Sequence, residues 1–144
     1  MMDAGYKTNV IPDSATGFVD TRFLAGQEEE VLRTIEQLAG THVKVEQYIT
    51  EPAIEAPFDS ALVEKMAAAI TVGDEDAVVL PYSLMGGTDN KHLAGIGITG
   101  YGFAPLRLPK ELDFAKLFHG IDERVPVESL TFGTTVLESF FADC

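Results

Sequence analysis

An α/β fold is the class this sequence predicts, and three observations predict it. Apolar residues recur at helical spacing in three stretches, over residues 27–38, after Ser60 and after Pro126. Between them lie shorter segments that alternate or are continuously apolar, as strands do. Glycine, proline and acidic turns separate the segments.

Residues 9–12 are short and apolar, and Pro12 ends the run. Over 15–24 the chain alternates, with Val19 and Phe23 on one side and Phe18, Asp20 and Arg22 on the other. That period of two predicts a strand with one wet face. Ala25-Gly26 breaks it. Residues 27–38 then place Val31, Leu32, Ile35 and Leu38 on one helical stripe. Glu28, Glu29 and Glu30 fall in the first turn, where the positive helix end favours them. Ala39-Gly40 stops the helix. Val43 and Val45 alternate with Lys44 and Glu46, predicting a second strand that extends toward Tyr48. Strand, helix, strand is half of a ferredoxin-like unit, which lacks a second helix to bury its sheet.

The run Thr50-Glu51-Pro52-Ala53-Ile54-Glu55-Ala56-Pro57 is a composition break, and its two prolines oppose a regular element. It divides the chain into domains over 6–50 and 51–144. Asp59 or Ser60 caps the next helix, which carries Leu62, Val63, Met66, Ala67 and Ile70. Gly73-Asp74-Glu75-Asp76 is a turn. Ala77-Val78-Val79-Leu80 reads as a buried strand, too short and too β-branched for a helix. Thr88-Asp89 opens a short helix ending near Gly95. Residues 96–103 are strand-like, weakened by glycines. Pro126 suits the first position of a closing helix with Val127, Leu130, Val136, Leu137 and Phe140 or Phe141 inward. Gly133 is a weak point there, costing up to about 1 kcal/mol against alanine. Helices alternating with short buried strands predict a three-layer α/β arrangement.

Composition excludes several functions. Ten Lys and Arg face 23 Asp and Glu, a net charge of −13 that repels a phosphate backbone, so no nucleic-acid partner is expected. No apolar run approaches the ~20 residues a membrane helix needs. The first residues lack the basic and apolar regions of a secretory signal, and cytoplasmic residence is the expectation. Cys144 is the one cysteine, which excludes an internal disulfide and a cysteine-based metal site. As a nucleophile Cys144 is a poor candidate, because a fraying terminus cannot hold a thiolate against a base.

Few residues could do chemistry. His119 lies in Phe118-His119-Gly120-Ile121-Asp122-Glu123-Arg124, ahead of the closing helix. A neutral imidazole there could ligate zinc, with Asp122 or Glu123 orienting it. The alternative is a surface histidine beside an ion-paired run. Gly86-Gly87-Thr88-Asp89 combines close backbone approach with the free N–H groups of a helix start. An ordinary turn capped by Thr88 is equally consistent. Arg22, with Asn9 before its strand, could hold a substrate carboxylate through two hydrogen bonds. The competing reading is a surface pair with Asp20, worth under about 1 kcal/mol. His92 and His42 read as exposed. There is no serine–histidine–acid order, phosphate loop or dinucleotide fingerprint.

Taken in order, these segments resemble the zinc metallopeptidases that include aminoacylase, carboxypeptidase G and succinyl-diaminopimelate desuccinylase (metallopeptidase family twenty). Asn9-Val10-Ile11-Pro12, Ala15-Thr16, Asp20-Thr21-Arg22, Gly87-Thr88-Asp89, Gly97-Ile98, Gly102-Phe103-Ala104-Pro105 and His119 with Asp122-Glu123 carry the resemblance. It runs from Lys7 to Asp143. The resemblance implies the C-terminal half of a ferredoxin-like lid, followed by the C-terminal part of a three-layer α/β metallopeptidase catalytic domain. In that family the catalytic domain holds two zinc ions and the lid mediates dimerisation. His119 would be a zinc ligand. Asn9, Arg22, Gly87 and Thr88 would contact substrate, with Asp89 beside them. The implied chemistry is metal-assisted hydrolysis of an amide in a small N-acyl amino acid or peptide. The family's His-x-Asp motif, bridging aspartate and Glu-Glu pair with the general base belong upstream and are not among these residues, so no catalytic residue is assigned. Glu51-Pro52 stands where some members have an arginine before a proline. The expectation is therefore a segment inactive alone, which would not retain zinc. The alternative is a non-enzymatic interaction or dimerisation module derived from the family.

Overall fold

A computed structural model describes residues Met1–Cys144. The chain forms two compact units, one of Met1–Glu55 with Met85–Gly87 and the other of Ala56–Leu84 with Thr88–Cys144.

The first unit has one small sheet and one helix. Strand β1 (Met2–Ala4) pairs antiparallel with β2 (Ala15–Gly17), Asp3 facing Thr16. Met1 and Phe18 exchange backbone hydrogen bonds just beyond, at 2.8 and 3.1 Å. The strand anticipated over 15–24 thus stops at Gly17, because its partner is only three residues long. Helix α1 (Glu28–Ala39) forms where its stripe predicts, with the three glutamates in its first turn. Gly40 ends it at φ 70°, a left-handed conformation that glycine adopts without strain. Val31, Leu32 and Ile35 are half-buried, whereas Leu38 is exposed. The strand anticipated over 43–48 is not formed. Its alternation is intact, but a strand is completed only by a neighbour.

The second unit is built on two helices. Ser60, not Asp59, caps α2 (Ala61–Gly73), its Oγ accepting from the Val63 amide at 3.3 Å. A short helix α3 (Asn90–Gly95) and a 3₁₀ turn (Phe114–Leu117) precede α4 (Val127–Ala142). Pro126 is the N-cap of α4 and not its first residue. Helices α2 and α4 pack through Met66, Ala69, Val136 and Phe140, with Ile70, Tyr101, Phe103 and Phe132 around them. Of the two candidate phenylalanines, Phe140 is the inward one, its ring 5.3 Å from that of Phe103. Val127 and Leu130, expected inward, are exposed. Gly133 is also not the weak point its helix position suggests. A Cβ there would lie 2.7 Å from the Pro105 carbonyl oxygen, so glycine is what lets the Pro105 backbone approach α4. Next to it, buried Ser129 donates to the Arg107 carbonyl at 2.6 Å.

No ladder forms over 77–80 or 96–103. These segments are extended in pattern but lack strands beside them. No helix is long and apolar enough to cross a membrane.

Candidate functional site

The residues singled out by sequence divide between the two units. Asn9, Arg22 and Gly87 belong to the first; Thr88, Asp89 and His119 belong to the second.

Arg22 is the best-anchored of them. Nη1 donates to the Met85 carbonyl at 2.7 Å, and Nη2 pairs with Asp20 Oδ2 at 2.8 Å. Arg22 is thereby tied to the residue just before Gly86-Gly87, a link across 63 residues of sequence. Met85 was not anticipated: its contribution is a backbone carbonyl, which leaves no side-chain signature. The hydrogen bond and charge of Asp20, then the charge of Glu51, hold the guanidinium still more firmly protonated than usual. Five donors on a guanidinium leave room for a further anion beside Asp20. Asn9 is exposed within the turn that the Val10 amide closes by donating to the Lys7 carbonyl at 3.2 Å.

Thr88 and Asp89 lead into α3 through their carbonyls. Thr88 accepts from the Lys91 amide, and Asp89 from the amides of His92 and Leu93. Asp89 occupies the N-cap position without a side-chain cap, so the anticipated Thr88 cap is not formed. The helix spans six residues, too few for an appreciable macrodipole.

His119 sits in a tight loop between the 3₁₀ turn and α4. The Gly120 amide donates to the Leu117 carbonyl at 2.9 Å. His119 and Asp122 both have positive φ, 56° and 65°, in the left-handed region that side chains rarely adopt. Glu123 Oε2 accepts from the backbone amide of His119 at 3.3 Å. Asp122 is instead bound by Arg124, whose Nη1 reaches Oδ2 at 2.6 Å and the Asp122 carbonyl at 2.9 Å. The acidic pair therefore shapes the loop: one carboxylate fixes the histidine's backbone, the other fixes an arginine. His119, His92 and His42 are all exposed.

No three His, Cys, Asp or Glu side chains converge as a metal site would require. A protein zinc site takes at least three such ligands. The residues of this chain do not by themselves fit a bound metal.

The family model for peptidase family M20/M25/M40 matches residues 3–143. The chain belongs to that family. Its members share an α/β peptidase fold and generally use metal ions. Over 133 residues the M20 chain is 28% identical to the probable carboxypeptidase S-like 1 of Dictyostelium discoideum, covering 89% of this chain and 27% of that protein. Over 132 residues it is 30% identical to the N-fatty-acyl-amino acid synthase/hydrolase PM20D1 of Xenopus tropicalis, covering 88% and 25%. The Mus musculus PM20D1 is 30% identical over 136 residues, covering 90% and 26%. The M20 chain thus spans about a quarter of the length of the curated relatives it matches. No solved structure matches it.

Proposed function

We propose that this chain is the C-terminal segment of a zinc-dependent amidohydrolase or peptidase, acting only when the rest of the family fold is supplied. One observation carries the reading: a family match from residue 3 to 143 that holds one histidine in a preformed loop and no converging ligand set. His119 is the residue we assign to the metal. Arg22 is assigned to the substrate carboxylate, with Asn9, Gly87, Thr88 and Asp89 as further substrate contacts. The substrate class is a small N-acyl amino acid or peptide with a free carboxylate. The names of the relatives, a carboxypeptidase S-like protein and N-fatty-acyl-amino acid synthase/hydrolases, support that class. Residues 6–50 are read as part of a lid and dimerisation domain, and 51–144 as part of the catalytic domain of a cytoplasmic enzyme. The family module without activity is the second reading, favoured by the exposed apolar side chains of the first unit.

The test combines this chain with a separately expressed polypeptide carrying the part of the Dictyostelium discoideum relative outside the matched segment. The mixture should bind zinc and hydrolyse N-acyl amino acids, and His119→Ala should reduce both. Chelator-sensitive hydrolysis by the 144 residues alone, lost in His119→Ala, overturns the need for completion. A mixture that associates without metal binding or hydrolysis favours the module.

A further inference from the structure

The loop ahead of α4 places its backbone strain on a histidine and not on the glycine beside it. His119 takes φ 56°, in the left-handed region, whereas Gly120 has no positive φ. Gly120 meets a different demand. A Cβ there would lie 3.2 Å from the Leu117 carbonyl oxygen and 3.3 Å from that of Lys116. Its amide also closes the turn on Leu117, at 2.9 Å. With the glycine committed to that close approach, the left-handed step falls on the histidine. A non-glycine residue stays in such a conformation only where its surroundings hold it there, and such residues cluster at functional sites.

What holds His119 is local. On one side the Phe118 ring packs on that of Phe114, their centroids 5.0 Å apart. On the other, Glu123 Oε2 accepts from the His119 amide at 3.3 Å. Arg124 is bound to Asp122 and fixes the second left-handed residue, at φ 65°. The Glu123 carboxylate is thereby left to the histidine's backbone. All these contacts lie within residues 114–124, so the turn can form from the loop's own residues, and the histidine stays exposed. We infer that Glu123 is a positioning residue for His119. Its carboxylate acts as a hydrogen-bond acceptor, not as a ligand or a base, and sets the backbone from which the imidazole projects. This role rests on the reading that assigns His119 to the metal.

Nuclear magnetic resonance on the 144-residue chain, without added metal, reads the turn directly. A positive φ brings a residue's own amide and α protons close, so His119 should give a strong intraresidue cross-peak. In Glu123→Ala that cross-peak should weaken, and the His119 amide should exchange about fivefold faster. Glu123→Gln keeps an acceptor and should restore both to within about twofold. Amides of α2 and α4 should stay as protected as in the parent chain, which separates a loop effect from unfolding. Each chain is then mixed with the non-matched part of the Dictyostelium discoideum relative. Glu123→Ala should slow hydrolysis of N-acyl amino acids about tenfold, through kcat more than KM, and Glu123→Gln should recover most of that loss. An unchanged His119 signature in Glu123→Ala overturns the inference, and leaves the proposed function standing if the parent mixture hydrolyses. A Glu123→Gln mixture as slow as Glu123→Ala, with the turn retained, also overturns it, because Glu123 would then be a ligand or a proton carrier. If the turn responds as expected but the parent mixture neither binds zinc nor hydrolyses, the proposed function fails and the role given to Glu123 fails with it.

Discussion

The second unit buries Met66, Ala69, Ser129, Val136 and Phe140, whereas no residue of the first unit is fully buried. The difference lies in which elements each sequence encodes. A helix satisfies its own backbone, and two amphipathic helices then need only each other. A strand leaves its amides and carbonyls to a neighbour. The second unit holds two long helices and closes a core between them. The first holds one helix and several strand-patterned stretches, of which only Met2–Ala4 and Ala15–Gly17 find partners. Stability should therefore concentrate between α2 and α4.

The largest effect should come from Phe140→Ala. Its ring contacts that of Phe103 and sits in the cluster with Met66 and Val136. Truncating a buried phenylalanine costs about 3–5 kcal/mol, a large share of a domain's total stability. Urea denaturation followed by far-ultraviolet circular dichroism should show early loss of the α2 and α4 signal. A loss under about 1 kcal/mol would mean that the two-helix core is not what holds the unit.

Gly133→Ala sharpens the same point because two effects oppose. Helix propensity favours alanine by about 1 kcal/mol. The new Cβ, however, would meet the Pro105 carbonyl oxygen at 2.7 Å, and backbone cannot swing aside as a side chain does. Overpacking of this kind costs about 1–3 kcal/mol, so the net change should be destabilising. A stabilised variant in thermal denaturation would show that α4 and the Pro105 segment do not approach so closely.

Leu38→Ala is the counterpart in the first unit. Leu38 belongs to the helical stripe of α1 but is 83% exposed, so its truncation should change stability by under about 0.5 kcal/mol. A cost above about 2 kcal/mol would reveal a core that the isolated unit does not contain.

This contrast also explains what could be read from the residues alone. Stripes such as Val31-Leu32-Ile35 and Met66-Ala67-Ile70 are local signals, and α1, α2 and α4 lie where those signals place them. Residues 43–48, 77–80 and 96–103 carry equally clear strand patterns. Pattern, however, reports a demand for neighbours and not their presence. At the candidate site, the sequence marks Arg22 and His119, but not the Met85 carbonyl that holds Arg22. Nor does it mark the division of labour by which Glu123 binds the His119 amide while Asp122 binds Arg124. Such roles depend on where a loop turns. In this one two non-glycine residues take positive φ, which composition does not announce.

The smallest effect belongs to the charges on the second unit's surface. Lys116 Nζ pairs with Asp113 Oδ2 at 2.6 Å, one turn apart across the 3₁₀ segment. The Lys116 hydrogen bond, and behind it the Lys116 charge, lowers the Asp113 carboxyl below its ordinary value. The Asp113 hydrogen bond and charge raise Lys116 above its own. A lowered carboxyl contributes fully above its unfolded value, and its contribution fades as pH falls through the folded one. A raised amine contributes fully below its unfolded value, and its contribution fades as pH rises through the folded one. The pair therefore acts across the whole neutral range and weakens only at either extreme. Both groups are fully solvated, where water and salt screen the attraction. Asp113→Asn should leave the melting temperature at neutral pH nearly unchanged, and any small difference should vanish in acid. Carboxyl-carbon chemical shifts should show Asp113 titrating below the ordinary aspartate value. A sharp fall in melting temperature at neutral pH for Asp113→Asn would put the stability of this unit in its surface charges and not in the packing of α2 on α4.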